Sequence, residues 1–155
     1  VNNQIIPLNG HVRVRAWERQ EDGSEVKIYD RIIKNLMVDA GKISILKYLG
    51  NISGGGYANG IGVGDSTTAA ASGQTDLQAS SNKLWKSIAS GNRVLVSDTL
   101  YLSTDFGYSE GNFTWNELGL RDSQGTPVML ARQIDTSPLV KTTSKRAIVE
   151  WQLSL

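Results

Sequence analysis

From His11 to Glu18 apolar and polar residues alternate, with Val12, Val14 and Ala16 on one parity and Arg13, Arg15 and Trp17 on the other. A period of two is that of a strand with one buried face. Val26, Ile28 and the run Tyr29 to Ile33 predict a second strand, and the Asp-Gly signal in Glu21-Asp22-Gly23-Ser24 predicts a hairpin between them. Ile61 and Val63 alternate with Gly60, Gly62 and Gly64, the pattern of a short strand packed close to a neighbouring backbone. Strands are also predicted at Leu84–Ala89 and Arg93–Leu102, with Ser90-Gly91-Asn92 as the turn, and at Pro127–Gln133 after a turn at Asp122-Ser123-Gln124-Gly125. Near the end, Ala147, Val149, Trp151 and Leu153 alternate with Ile148, Glu150 and Gln152. In Phe113–Arg121 the parity changes: Phe113 and Trp115 are odd, Leu118 and Leu120 even. A shift of face inside one strand is what a β-bulge produces, and it is expected near Glu117.

Only Asp39–Leu49 has a helical pattern. Ile43, Leu46 and Leu49, with Ile45 and Tyr48 beside them, form an apolar stripe expected to pack on the sheet. Asp39 is placed to cap the first turn and Gly50 to end the helix in the left-handed region. Asn51–Gly56 is a glycine-rich loop, and Asp65–Gln74, rich in Ser, Thr, Ala and Gly, a long surface loop or arm.

About eight short strands with one early helix predict a mainly β protein, an antiparallel β-sandwich or barrel-like fold with one short inserted helix. Residues 1–10 are expected to form an extended N-terminal arm and residues 11–155 a single β-rich domain. A chain of 155 residues is long enough to bury its own core.

Charge and residue inventory narrow the chemistry. The formal net charge is +1, which gives the whole chain no electrostatic pull toward nucleic acid or an anionic membrane. No apolar run approaches the roughly 20 residues of a membrane helix, and Val1-Asn2-Asn3-Gln4 lacks the regions of a signal peptide. There is no cysteine, hence no disulfide and no thiolate ligand. His11 is the single histidine, so a metal site or a Ser-His-Asp triad would lack most of its parts. Gly60–Asp65 has neither the Lys-Ser/Thr of a P-loop nor the spacing of a dinucleotide loop. Neither cofactor nor metal is expected. Asp105, Glu110, Glu117 and Asp122 lie close enough in sequence to make a carboxylate-based hydrolase the remaining enzymatic alternative, with Glu110 and Glu117 as its acids.

The aromatic residues point to binding. Trp115 and Trp151 sit on apolar parities and are expected in the core, whereas Trp17 shares its face with Arg13 and Arg15. Trp and Arg together suit the centre of a protein interface, and the same Trp would serve as a sugar-stacking platform. The interface set is His11, Arg13, Arg15, Trp17, Tyr57 and Tyr108; a glycan-binding face would gather Trp17, Tyr57, Tyr101 and Tyr108.

Several segments in order resemble a family of small bacteriophage structural proteins of the tail-fibre or minor virion type. They are Arg31-Ile32-Ile33-Lys34-Asn35-Leu36; Ala40-Gly41 with the helix; Ile61-Gly62-Val63-Gly64-Asp65-Ser66-Thr67-Thr68-Ala69; Thr75-Asp76-Leu77; Phe113-Thr114-Trp115-Asn116-Glu117-Leu118-Gly119-Leu120; Met129-Leu130-Ala131-Arg132; and Val149-Glu150-Trp151-Gln152-Leu153. The likeness covers roughly residues 25–155; Asp65 stands where Gly or Thr is usual, and His11–Glu18 lies outside it. The resemblance implies a non-enzymatic β-domain, assembled in copies on the virion as a capsid decoration (cement) or tail-associated subunit and formed in the host cytoplasm. It implies major capsid or tail proteins as partners, a closed homo-oligomer such as a trimer, and, as the alternative, a carbohydrate-binding or receptor-binding module of a tail fibre that contacts a host-surface glycan.

Overall fold

In the computed structural model, which describes residues 8–154, β1 (Asn9–Arg19) has the predicted alternation. Val12, Val14 and Ala16 are buried, while Arg13, Arg15 and Trp17 face the other way and stay half-buried. The strand begins two residues earlier than expected, so Asn9 and Gly10 belong to the sheet and not to an arm; residues 1–7 lie outside the described residues. β2 (Glu25–Lys34) returns beside β1 through a turn in which Gly23 has φ +83° and the Asp22 carboxylate accepts from Ser24 N and Oγ.

The remaining elements are β3 (Leu36–Met37), α1 (Asp39–Leu49), β4 (Ala58–Gly64), β5 (Lys83–Ser87), β6 (Arg93–Val96), β7 (Thr99–Phe106), β8 (Thr114–Asp122), β9 (Met129–Val140) and β10 (Lys145–Ser154). They form two antiparallel five-stranded sheets, in the orders β2-β1-β10-β7-β6 and β3-β9-β8-β4-β5. The fold is mainly β and sandwich-like, with the one helix inserted after β3.

Two strand predictions are corrected. Ser90-Gly91-Asn92 is not a hairpin turn but a short 3-10 segment that carries the chain from β5, in the second sheet, to β6, in the first. The predicted strand Arg93–Leu102 is broken at Ser97-Asp98 into β6 and β7, which pair with each other. Ser97 makes that turn at φ +54°, a conformation glycine or asparagine usually supplies, so the composition gave no turn signal.

The parity change in β8 is present as a register irregularity between Trp115 and Glu117. Trp115 is opposite Leu139 and Glu117 opposite Ile134, so the extra residues, Asp135–Pro138, belong to β9. Asp135 in this excursion accepts from the Tyr29 hydroxyl and pairs with Arg31, 3.3 Å away, tying the β2 edge of one sheet to the other. Burial, then the bond to Asp135, holds the Tyr29 phenol well above its ordinary range.

The consequence of the bulge is that Trp115, Leu118 and Leu120 all face the core while Glu117 and Gly119 face outward. Between the sheets these three meet Ile61 and Val63 of β4, Ala131 and Leu139 of β9, and the inner row Val149, Trp151 and Leu153 of β10. Phe106 meets Trp115 edge to face at 5.0 Å, an arrangement that matches the positive ring edge to the negative face. Both Trp115 and Trp151 are core residues, as their parity predicts.

Helix α1 has the predicted bounds but the opposite orientation. Its buried residues are Gly41 and Ser44, and the stripe Ile43, Leu46 and Leu49 is exposed. Asp39 is not the N-cap; Val38 is, without a side-chain cap, and Asp39 pairs with Lys42 at 3.1 Å. Gly50 has φ −83°, and Asn51, at φ +52°, supplies the left-handed residue after it. The helix docks through its smallest residues, which lets its backbone approach β9 at Leu130.

Ser44 Oγ donates to Asp122 Oδ2 at 2.7 Å and accepts from Gly56 N, so one carboxylate links α1, the loop after it and β8. Burial raises the Asp122 pKa, but hydrogen bonds from Ser44, Val128 N and Gln124 outweigh it, leaving a net value below the ordinary one. A lowered carboxylate contributes stability above its unfolded pKa of about 3.9 and loses it as pH falls through the folded value. Thermal stability should therefore drop below about pH 4, and Asp122→Asn should be less stable at neutral pH with a flatter acid slope, as melting curves across that range would record.

Candidate functional site

The alternating glycines of β4 form a shelf on the outer face of the second sheet. Gly62 is in register with Trp85 of β5 on one side and Gly119 of β8 on the other. The Trp85 ring lies across both: a Cβ on Gly62 would stand 2.6 Å from the ring and one on Gly119 2.7 Å from it. Trp85 Nε1 donates to Asp76 Oδ1 at 3.1 Å, and the Arg121 guanidinium sits 4.8 Å from a ring centroid. Thr75, Asp76, Trp85, Arg121, Pro127 and Met129 surround a polar cavity of about 280 Å³ here.

Beside the shelf, Glu117 and Arg132 form an ion pair in which both side chains are fully buried, with Arg132 Nη2 2.7 Å from Glu117 Oε2. Bare strands would leave this pair in water; the loop of residues 65–82 covers it. Gln78 N and Ala79 N donate to the two Glu117 oxygens at 2.9 and 2.7 Å, while Arg132 donates onward to Gln74 Oε1 and Thr68 O, each at 2.9 Å. Leu77 and Ala79 of the loop are buried with them. The ion pair thus fastens about eighteen residues of irregular chain through backbone groups at both ends, the kind of closure that restrains a long loop.

This arrangement decides what Glu117 does. Its oxygens are filled by two amides and a guanidinium, whereas Glu110 pairs with Lys86 at 2.6 Å and accepts from Gly107 N. Lys86, then Gly107 N, holds the Glu110 carboxyl below its usual range. Asp122 is committed to Ser44 and the Gln124–Val128 turn, and Asp105 faces Arg146 at 3.5 Å. The four acids grouped by sequence are thus held in separate ion pairs and hydrogen-bond sets. Among the described residues, no group of three or more His, Cys, Asp or Glu is arranged to hold a metal ion.

The predicted interface residues divide between two places. His11, Arg13, Arg15 and Trp17 line the outer face of β1, where Arg13 makes two 2.9 Å bonds to Asp30 and Arg15 lies 3.6 Å from Glu150. The Arg13 bond, then that from Lys27, holds Asp30 well below the carboxylate range. Trp17 carries Arg146 4.4 Å above its ring; Arg146 also bonds Glu25, which accepts from Tyr108, and Arg19 covers the Tyr108 ring at 3.8 Å. Tyr108 therefore joins the end of this charged face. Tyr57 does not: it packs with Tyr48 of α1 and under Arg93, beside the helix. Tyr101 is on β7, in the same sheet as Trp17, but Tyr57 is away from it, so the four aromatics of the expected glycan face do not form one platform.

At Tyr57 the structure reveals a feature that the sequence pattern did not disclose. Between α1 and β6 runs an apolar groove of about 540 Å³, lined by Ile45, Leu46, Leu49, Tyr57, Leu95 and Leu153 among others. The signal was present in the small residues Gly41 and Ser44: a helix with a small face and a large apolar face can dock by the small one. Likewise, glycine at every second position of β4 was a sign that something lies flat on that strand.

Adding a methyl group to the shelf should displace its cover. Gly62→Ala is expected to cost about 1–3 kcal/mol, the range for overpacking a tight contact, and to shift the Trp85 fluorescence. Trp85→Ala in the same chain should remove most of that extra cost, which a double-mutant cycle in urea would measure.

No helix among the described residues is long and apolar enough to cross a membrane. No protein-family model, curated protein or solved structure matches this chain.

Proposed function

We propose that this protein is a non-enzymatic structural subunit of a bacteriophage particle, a capsid decoration or tail-associated protein present in many copies. The observation that supports this reading is where the resembling segments lie. Six of the seven, scattered from Arg31 to Arg132, run into or onto the second sheet: Leu36 pairs with Arg132, Gly41 abuts Leu130, Thr68 accepts from Arg132, and Leu77 lies over Gly119 beside Glu117. Several of these segments contribute to the clamped loop and its shelf. On this reading the charged outer face of β1, outside the resemblance, is the surface that meets the partner, a major capsid or tail protein. Repetition on a particle converts modest contacts of this kind into avidity.

Gold-labelled antibody against the chain, viewed on intact particles by electron microscopy, tests this. Regular label over the head identifies a decoration protein, and label at the tail an adaptor or fibre component. Absence of label from every particle removes the proposal.

A second reading, a glycan-binding module, draws on the cavity beside Trp85, where an indole, a carboxylate and a guanidinium converge. It predicts that host-surface polysaccharide binds the protein and that Trp85→Ala abolishes binding in calorimetry.

A further inference from the structure

The groove between α1 and β6 is walled by side chains that a monomer leaves in water. Leu49 is 75% exposed, Leu95 70% and Leu46 66%, and Tyr48 and Tyr57 are about half exposed. Scattered exposed leucines need no explanation; apolar side chains gathered along one groove do.

One wall of the groove is also an open sheet edge. β6 is terminal in its sheet and pairs only with β7, so its other side has no strand neighbour among the described residues. Natural edges are commonly protected by lysine, proline or a covering element. Here the sequence is Arg93-Val94-Leu95-Val96, and Arg93 is turned inward onto Ala58 O, Asn59 and Ile88 O. What remains at the edge is apolar.

We propose that the occupant of this groove is a second copy of the same chain, with α1 of one copy seated against β6 of the other. The two walls differ in a way that suits unlike pairing. The α1 wall carries Lys42 beside Leu46 and Leu49, and the β6 wall carries Leu95 with Asp98 just beyond the strand. Like walls would set equal charges together, whereas α1 on β6 brings Lys42, which also touches Asp39, toward Asp98. Such a contact closes as a dimer if reciprocal and as a ring if each copy passes it on. The inference concerns the isolated chain and does not depend on the virion reading.

The purified full chain should show, by light scattering after size exclusion, a discrete mass two or three times its 16.9 kDa. Leu49→Glu, at a position too exposed to disturb the fold, should return the mass to that of one chain with an unchanged circular dichroism spectrum. Because the chain has no cysteine, Leu49→Cys and Leu95→Cys each introduce a single thiol. Mixing the two variants under oxidising conditions should give the crossed disulfide in preference to either like pair. A monomeric wild type, or like pairs in excess over the crossed one, overturns the proposal. So does a chain that is monomeric when whole and associates only when residues 1–7 are removed, since its own N-terminal segment would then be the occupant.

Discussion

Replacing Arg132 by Met is expected to cost about 3–5 kcal/mol, because it leaves a fully buried carboxylate without its cation. Against a total stability of roughly 5–15 kcal/mol for an ordinary domain, that is a large fraction. The comparison that matters is with the double variant Glu117→Leu/Arg132→Met. For a simple buried ion pair, an apolar replacement of both partners is often neutral. Here the pair also satisfies Gln78 N, Ala79 N and Thr68 O, and the apolar pair would strand them. The double variant should therefore recover only part of the loss, and residues 65–82 should become the first site of proteolytic cleavage. Urea unfolding of the four proteins in the cycle measures the coupling; a double variant as stable as the wild type would show that the loop does not depend on the pair.

Gly41→Ala is the second large effect expected, and its sign is opposite to the usual rule. In an exposed helix interior this change stabilises by about 1 kcal/mol, since Ala restricts the unfolded chain. At Gly41 the added methyl would overlap the backbone of Leu130, which cannot rotate away as a side chain can. The helix must lift from β9, loosening the Ser44–Asp122 bond as well. A loss of about 3 kcal/mol follows, at the upper end of overpacking costs. Gly73→Ala, where a Cβ meets open space, serves as the control and should be near neutral.

The strands with a strict period of two, β1 and β10, were legible in the sequence because each buries one face against one core. The bulge was legible too, since one odd parity step in β8 has few other meanings. The α1 stripe was misleading because periodicity identifies an apolar face without saying what it meets; burial of the opposite face, at Gly41 and Ser44, is a property of the tertiary contact. The break at Ser97 was hidden because a serine held at positive φ by its neighbours resembles any other serine. Glu117 stood out as an acid, but its partner is fifteen positions away on the next strand and its cover thirty-eight and thirty-nine positions back. No local pattern encodes that combination.

The position of β10 between β1 and β7 has a consequence for the chain as it is made. Until β10 leaves the ribosome, the first sheet can exist only as two separate hairpins, β1–β2 and β6–β7. At roughly 5–20 residues per second the early hairpin waits several seconds for the strand that joins it to the other. Throughout that interval Val12, Val14 and Ala16 have no β10 beside them, and a vacant strand position is open on each hairpin. Nascent chains crowded on one messenger are thus exposed to mispairing with each other, and the ten residues of β10 act as the keystone that ends the exposure.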